Sequence, residues 1–119
     1  MHPDRGVDAV PVVFALDGRR IVVPVDTVKP KRTVELARVT NVRRDPRCVL
    51  LVDRYSDDWT QLWWVRVHAE ARVAEDPGPW LAALAGRYTQ YATSGAVASV
   101  LLLTPTALRG WIAADSDPR

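Results

Sequence analysis

Three cations and two threonine hydroxyls stand within the nine residues Val25-Asp26-Thr27-Val28-Lys29-Pro30-Lys31-Arg32-Thr33. Pro30 disfavours helix at Lys29, so the segment reads as a loop that ends at the N-terminus of a helix. Free N–H groups and the helix dipole make such an end receptive to anions. Lysine and arginine add charge-assisted hydrogen bonds. The chemistry indicated is phosphate binding by Lys29, Lys31, Arg32 and Thr33; the alternative is a basic loop that only faces water. Fourteen of the sixteen basic residues are arginine, and both lysines fall here, which suits a spot needing a compact ammonium charge. From Lys29 to Arg47 seven basic residues face two acidic ones, a local +5 against +2 for the whole chain, so the remainder carries −3. The positive charge is a patch.

Other chemistry-bearing residues read more plainly. Adjacent strand residues point to opposite faces, so Trp63 belongs to the core and Trp64 to the face of Arg66 and His68. A half-polar tryptophan suits either an interface or a flat ring ligand. Asp57 and Asp58 could form a carboxylate pair but read as a turn. Tyr88 and Tyr91 read as packing residues. Cys48, the single cysteine, reads as a small apolar strand residue. With only His2 and His68 beside it, neither a thiol nucleophile nor a four-ligand zinc site is indicated. No catalytic acid or base and no metal ligand is singled out.

The elements that must position these residues are mostly strands. Val10, Val12, Phe14 and Leu16 open a β-rich stretch, Asp17-Gly18 signals a hairpin turn, and 19–25 is the return strand. A helix is expected over 33–43, with Val34, Ala37, Val39 and Val42 as its apolar stripe, stopped by Asp45-Pro46. A buried strand is expected over 48–52. A long strand is expected over 62–74, with Trp63, Val65, Val67, Ala69, Ala71 and Val73 on one face. Asp76-Pro77 starts a second helix, with Trp80, Leu81, Leu84 and Tyr88 on its buried stripe. Two strands, 97–104 and 106–111, separated by Pro105, close the chain. The fold class that follows is mainly β with peripheral helices, an antiparallel barrel; periodicity alone leaves a sandwich open.

The 119 residues fit one domain, 1–119, and 48% of them are hydrophobic, enough for a core. No apolar run approaches the ~20 residues of a membrane helix, and residues 1–8 lack a signal-peptide pattern. The expected location is the cytoplasm, with no membrane partner. Nucleic acid is the rival ligand for a basic patch, but no helix-turn-helix or stacking platform accompanies it, and no nucleic-acid partner is expected.

Several of these segments together resemble a known family. Pro11-Val12-Val13-Phe14-Ala15-Leu16-Asp17-Gly18, Lys29-Pro30-Lys31-Arg32-Thr33, Arg43-Arg44-Asp45-Pro46-Arg47 and Leu50-Leu51-Val52-Asp53 are similar to the pyridoxamine 5'-phosphate oxidase-like split barrels. Asp57-Asp58-Trp59 and Leu62-Trp63-Trp64-Val65-Arg66-Val67 resemble an actinobacterial branch of that family, one associated with the deazaflavin coenzyme F-420. The resemblance spans residues 10–111. It implies an antiparallel split barrel and a homodimer with two cofactor sites between subunits. It places the cofactor phosphate at Lys29, Lys31, Arg32 and Thr33. Val12, Val13 and Val25 would approach the cofactor through backbone groups, and position 64 would contact it, although Trp64 departs from the polar residue that relatives often carry there. The family's usual first helix and strand have no counterpart here, and an exposed sheet edge is expected in consequence. The activity implied is hydride transfer from F-420 to an unidentified small molecule. The alternatives are an FMN enzyme on the same fold, or a non-catalytic flavin- or deazaflavin-binding protein.

Overall fold

The computed structural model describes residues 9–26, 32–92 and 97–113. Its first strands, β1 (Ala15–Asp17) and β2 (Arg20–Asp26), form a hairpin closed by Gly18-Arg19, with Asp17 opposite Arg20. Gly18 has φ 61°, the left-handed region that mirror-image hairpin turns require and that glycine enters without steric cost. Helix α1 (Arg32–Arg44) follows, then β3 (Arg47–Arg54) and β4 (Trp63–Ala74). A short helix α2 (Leu81–Arg87) precedes the last strand, β5 (Val97–Ile112). The five strands make one antiparallel sheet in the order β1-β2-β5-β4-β3. The sheet does not close on itself, as the split-barrel expectation requires. Among the described residues no helix is long and apolar enough to cross a membrane.

Each face of the sheet carries a core. On one, Ile21, Val23 and Val25 of β2 meet Leu101 and Leu103 of β5, Val67, Ala69 and Ala71 of β4, and Leu50 of β3. Val39 and Val42 of α1 pack onto this cluster, with Val12 and Phe14. On the other, Ala15, Val22, Val100 and Leu102 are covered by Leu84 of α2, Tyr91 and Val97, with Trp80, Leu81 and Tyr88 around them. Doubly buried positions explain why β2 and the first half of β5 read as continuous apolar runs rather than alternating ones. The expected helix at 33–43 and the alternation of β4 match what is observed; Leu81 and Leu84 do face the core, but α2 starts at Leu81 after a separate 3-10 turn, Gly78–Trp80, and not at Asp76-Pro77, so Trp80 and Tyr88 flank it.

Three further expectations are corrected. The strand expected from Val10 to Leu16 is only Ala15–Asp17. The backbone of Phe14 is satisfied otherwise: its N–H donates to the Tyr88 hydroxyl at 3.3 Å, and its carbonyl accepts from that hydroxyl at 3.0 Å and from Arg87 at 2.7 Å. The strand expected to be buried at 48–52 lies at the sheet edge, and only Leu50 is buried while Val49 and Leu51 are 53% and 60% exposed. Finally, Pro105 does not separate two strands. It lies inside β5, past Leu103, the last residue paired to β2, where no ladder partner on that side needs its missing N–H. A bulge follows: Ala69 faces Pro105, His68 faces Ala107, and the skipped Thr106 donates its hydroxyl to the His68 carbonyl at 3.2 Å.

Candidate functional site

The phosphate-binding candidates sit between β2 and α1. Lys29 and Lys31 lie outside the described residues. Arg32 and Thr33 open α1, a helix of 13 residues, so the basic segment does lead into a helix N-terminus. Val25 ends the regular part of β2, opposite Ser99, just before the pairing shifts at Asp26. Its side chain is buried in the α1-side core, and Val12 packs against the same cluster. Val13, not in a strand, is 40% exposed. Val12 and Val25 thus pack in the same cluster, onto which Val39 and Val42 of α1 also pack.

Trp64 is elsewhere. It pairs with Trp111 near the other end of β5, twelve positions from Ser99. At ~3.3 Å per residue this is roughly 40 Å along the strand, close to the 45 Å longest dimension of the molecule. Trp64 and Val25 thus stand towards opposite ends of β5. The Arg66 guanidinium lies 5.0 Å from the centre of the Trp64 ring, a cation–π contact.

An open apolar hollow of ≈ 450 Å³ lies at that end, bordered by Trp63, Trp64, Val65, Gly110, Trp111 and Ile112. By register, Trp63, Val65, Leu108, Gly110 and Ile112 share the α1-side face. A Cβ on Gly110 would stand 3.3 Å from the Trp64 carbonyl oxygen and 3.6 Å from a Val65 methyl, so glycine leaves room there. Leu108 and Ile112 are 67% and 56% exposed. Trp63, expected in the core, is half-buried on the rim of this hollow, because β1 and β2 do not extend far enough to cover it. The roles of Trp111 and Gly110 are not legible in the sequence, since Trp64 pairs with a residue 47 positions later and Val65 with one 45 positions later, which no local turn signal sets.

The remaining candidates behave as structural residues. Asp58 caps the turn Trp59–Gln61, accepting from the Thr60 N–H at 3.0 Å and hydroxyl at 2.7 Å, and these bonds lower its pKa. Burial pushes the Cys48 thiol up, the wrong direction for a nucleophile. Tyr88 and Tyr91 meet edge to face at 6.0 Å. Asp45 receives Arg47 through two side-chain bonds and one backbone bond, and these hold its carboxyl at about 2. No known family model matches this chain, and no curated protein matches it either.

Proposed function

We propose that the chain is a cytoplasmic, homodimeric split-barrel oxidoreductase that binds coenzyme F-420 and passes hydride to a small molecule. The observation that carries this reading is the course of the chain from β2 to α1: two lysines, an arginine and a threonine lead from a strand end into the first turn of a 13-residue helix. That donor set fits a phosphate, with ammonium and guanidinium charges, a hydroxyl and free helix N–H groups within five consecutive residues of the sequence. The open antiparallel sheet and the similarity of segments along residues 10–111 to the pyridoxamine 5'-phosphate oxidase-like proteins support it further. The deazaflavin supplies the hydride; the protein supplies binding, orientation and exclusion of water. In this reading Lys29, Lys31, Arg32 and Thr33 hold the phosphate, backbone near Val12, Val13 and Val25 borders the cofactor, and Trp64 offers a ring contact from a second copy.

Titration of the purified protein with F-420 and with FMN, followed by a turnover assay, tests the reading. Micromolar F-420 binding and oxidation of the reduced form support it. Binding of FMN alone moves the chain to the flavin enzymes, and F-420 binding with no turnover across a broad acceptor panel makes it a carrier. Lys31→Ala and Arg32→Ala should each weaken cofactor binding roughly tenfold to a hundredfold, the value of one charge-assisted hydrogen bond. Arg19→Ala, in the exposed hairpin turn at the far end of β2, should change it little.

A further inference from the structure

On the α2-side face, β3, β4 and β5 extend beyond the part of the sheet that α2 covers. There the register sets Trp64 opposite Trp111 and, two residues along, Arg66 opposite Arg109. The four side chains share one face, because no bulge interrupts the pairing from Trp63 to His68. From β3, Leu51 stands beside Arg66 and Asp53 beside Trp64, and His68 and Ala107 form the next pair. Both arginines are exposed, and Trp111 is 48% exposed. Like charges directly opposite one another across strands are unfavourable. Neither guanidinium is in an ion pair with a described carboxylate, and Arg66 instead rests against the Trp64 ring.

We propose that this face is a binding site for a planar aromatic anion. Trp64 holds the Arg66 guanidinium in place; Trp111 presents its ring for stacking; Arg66 and Arg109 together grip a carboxylate or phosphate on the ligand. Two guanidinium forks on adjacent strands suit a bidentate oxyanion, and the anion would relieve their repulsion. The arginine pair is two residues from the tryptophan pair, ~6.6 Å along the strands, the spacing of a fused ring from an acidic group attached to it. The site shares Trp64 with the ring contact proposed above, but it rests only on the Trp64–Trp111 and Arg66–Arg109 pairs and stands whether or not the Lys29–Thr33 segment holds a cofactor.

Calorimetry with 2-naphthoate, 2-naphthyl phosphate, 2-naphthol and cyclohexanecarboxylate tests it. One or both naphthyl anions should bind at least tenfold tighter than the neutral naphthol and the non-aromatic acid, and their ratio identifies the anionic group. Arg66→Gln with Arg109→Gln should erase the advantage of the anions, and Trp111→Leu the advantage of the ring; Lys31→Ala should affect neither. Circular dichroism checks that the variants fold, and at these exposed positions it should not change. Equal affinity for anion and naphthol, or full affinity in the double-arginine variant, overturns the proposal. So does a fall in mass by light scattering for Arg66→Glu, because the face would then be a contact between copies.

Discussion

At single residues, the structure separates groups that are held from groups that merely stand on the surface. Asp45 lies between α1 and β3 and accepts from Arg47 at 3.0 and 2.9 Å through the side chain and 3.1 Å through the backbone. A carboxyl whose folded pKa, about 2, is below its ordinary 3.8 stabilises the fold in full above about pH 4 and loses that contribution as pH falls towards 2. In an Arg47→Ala variant the Asp45 titration, followed by NMR, should move up towards the ordinary value, and stability should become less sensitive to acid across that window. The pair faces water, so added salt should also weaken it. Packing gives a larger signal. Leu84 is fully buried beneath α2, whereas Leu16 is 66% exposed on β1. Leu84→Ala should cost about 2–5 kcal/mol by urea unfolding, and Leu16→Ala no more than about 0.5 kcal/mol. Equal effects would mean that α2 does not seal the core as described.

At the level of elements, turn chemistry and periodicity told most of the story, and long-range pairing told the rest. Asp17-Gly18 marked the β1–β2 hairpin because only a residue free to adopt positive φ closes a two-residue loop of that kind. Gly18→Ala should therefore destabilise by about 1–2 kcal/mol in thermal or urea unfolding although it adds only a methyl group, and nothing lies within 4 Å of the added carbon. The alternation from Trp63 to Val73 was legible because one face of β4 is packed and the other is not. Pro105 misled the reading: a proline usually ends a strand, and only the tertiary arrangement shows that its side of β5 has no partner to lose. Likewise Val10-Pro11-Val12-Val13-Phe14 has strand composition but pairs in no ladder, and Tyr88 and Arg87 take the backbone hydrogen bonds of Phe14. Thr106→Val should cost about 0.5–1.5 kcal/mol, the worth of the hydroxyl's bond to the His68 carbonyl at the bulge. The Lys29–Thr33 segment is legible from residue type and position before a helix, and α1 begins one residue before the expected Thr33; for Trp64, strand parity gives a face but not a distance, and its cofactor contact is implied only by the family resemblance.

For the whole molecule, the arrangement of apolar surface and of site residues bears on how many copies make a working unit. On the α1-side face the sheet is covered as far as β2 reaches, and beyond it Leu108 and Ile112 remain exposed beside the hollow between Trp63 and Gly110. Exposed apolar surface of this kind marks an interaction face. Trp64 and Val25 stand at opposite ends of β5, twelve positions or roughly 40 Å of strand apart, so a cofactor touching both would meet them on different chains. The homodimer proposed above would cover Leu108 and Ile112 on this face. Light scattering at micromolar concentration should give twice the 13.3 kDa chain mass. Leu108→Glu places a charge on the apolar face at a position already exposed in the single chain, so it should leave the fold intact and weaken dimerisation at least tenfold, through the cost of burying an unpaired carboxylate. F-420 binding should fall with it, at concentrations where the variant is monomeric, and recover as the protein is concentrated. Full cofactor affinity in a monomeric Leu108→Glu protein would show that one chain completes the site alone, and Trp64 would then be removed from the cofactor's surroundings.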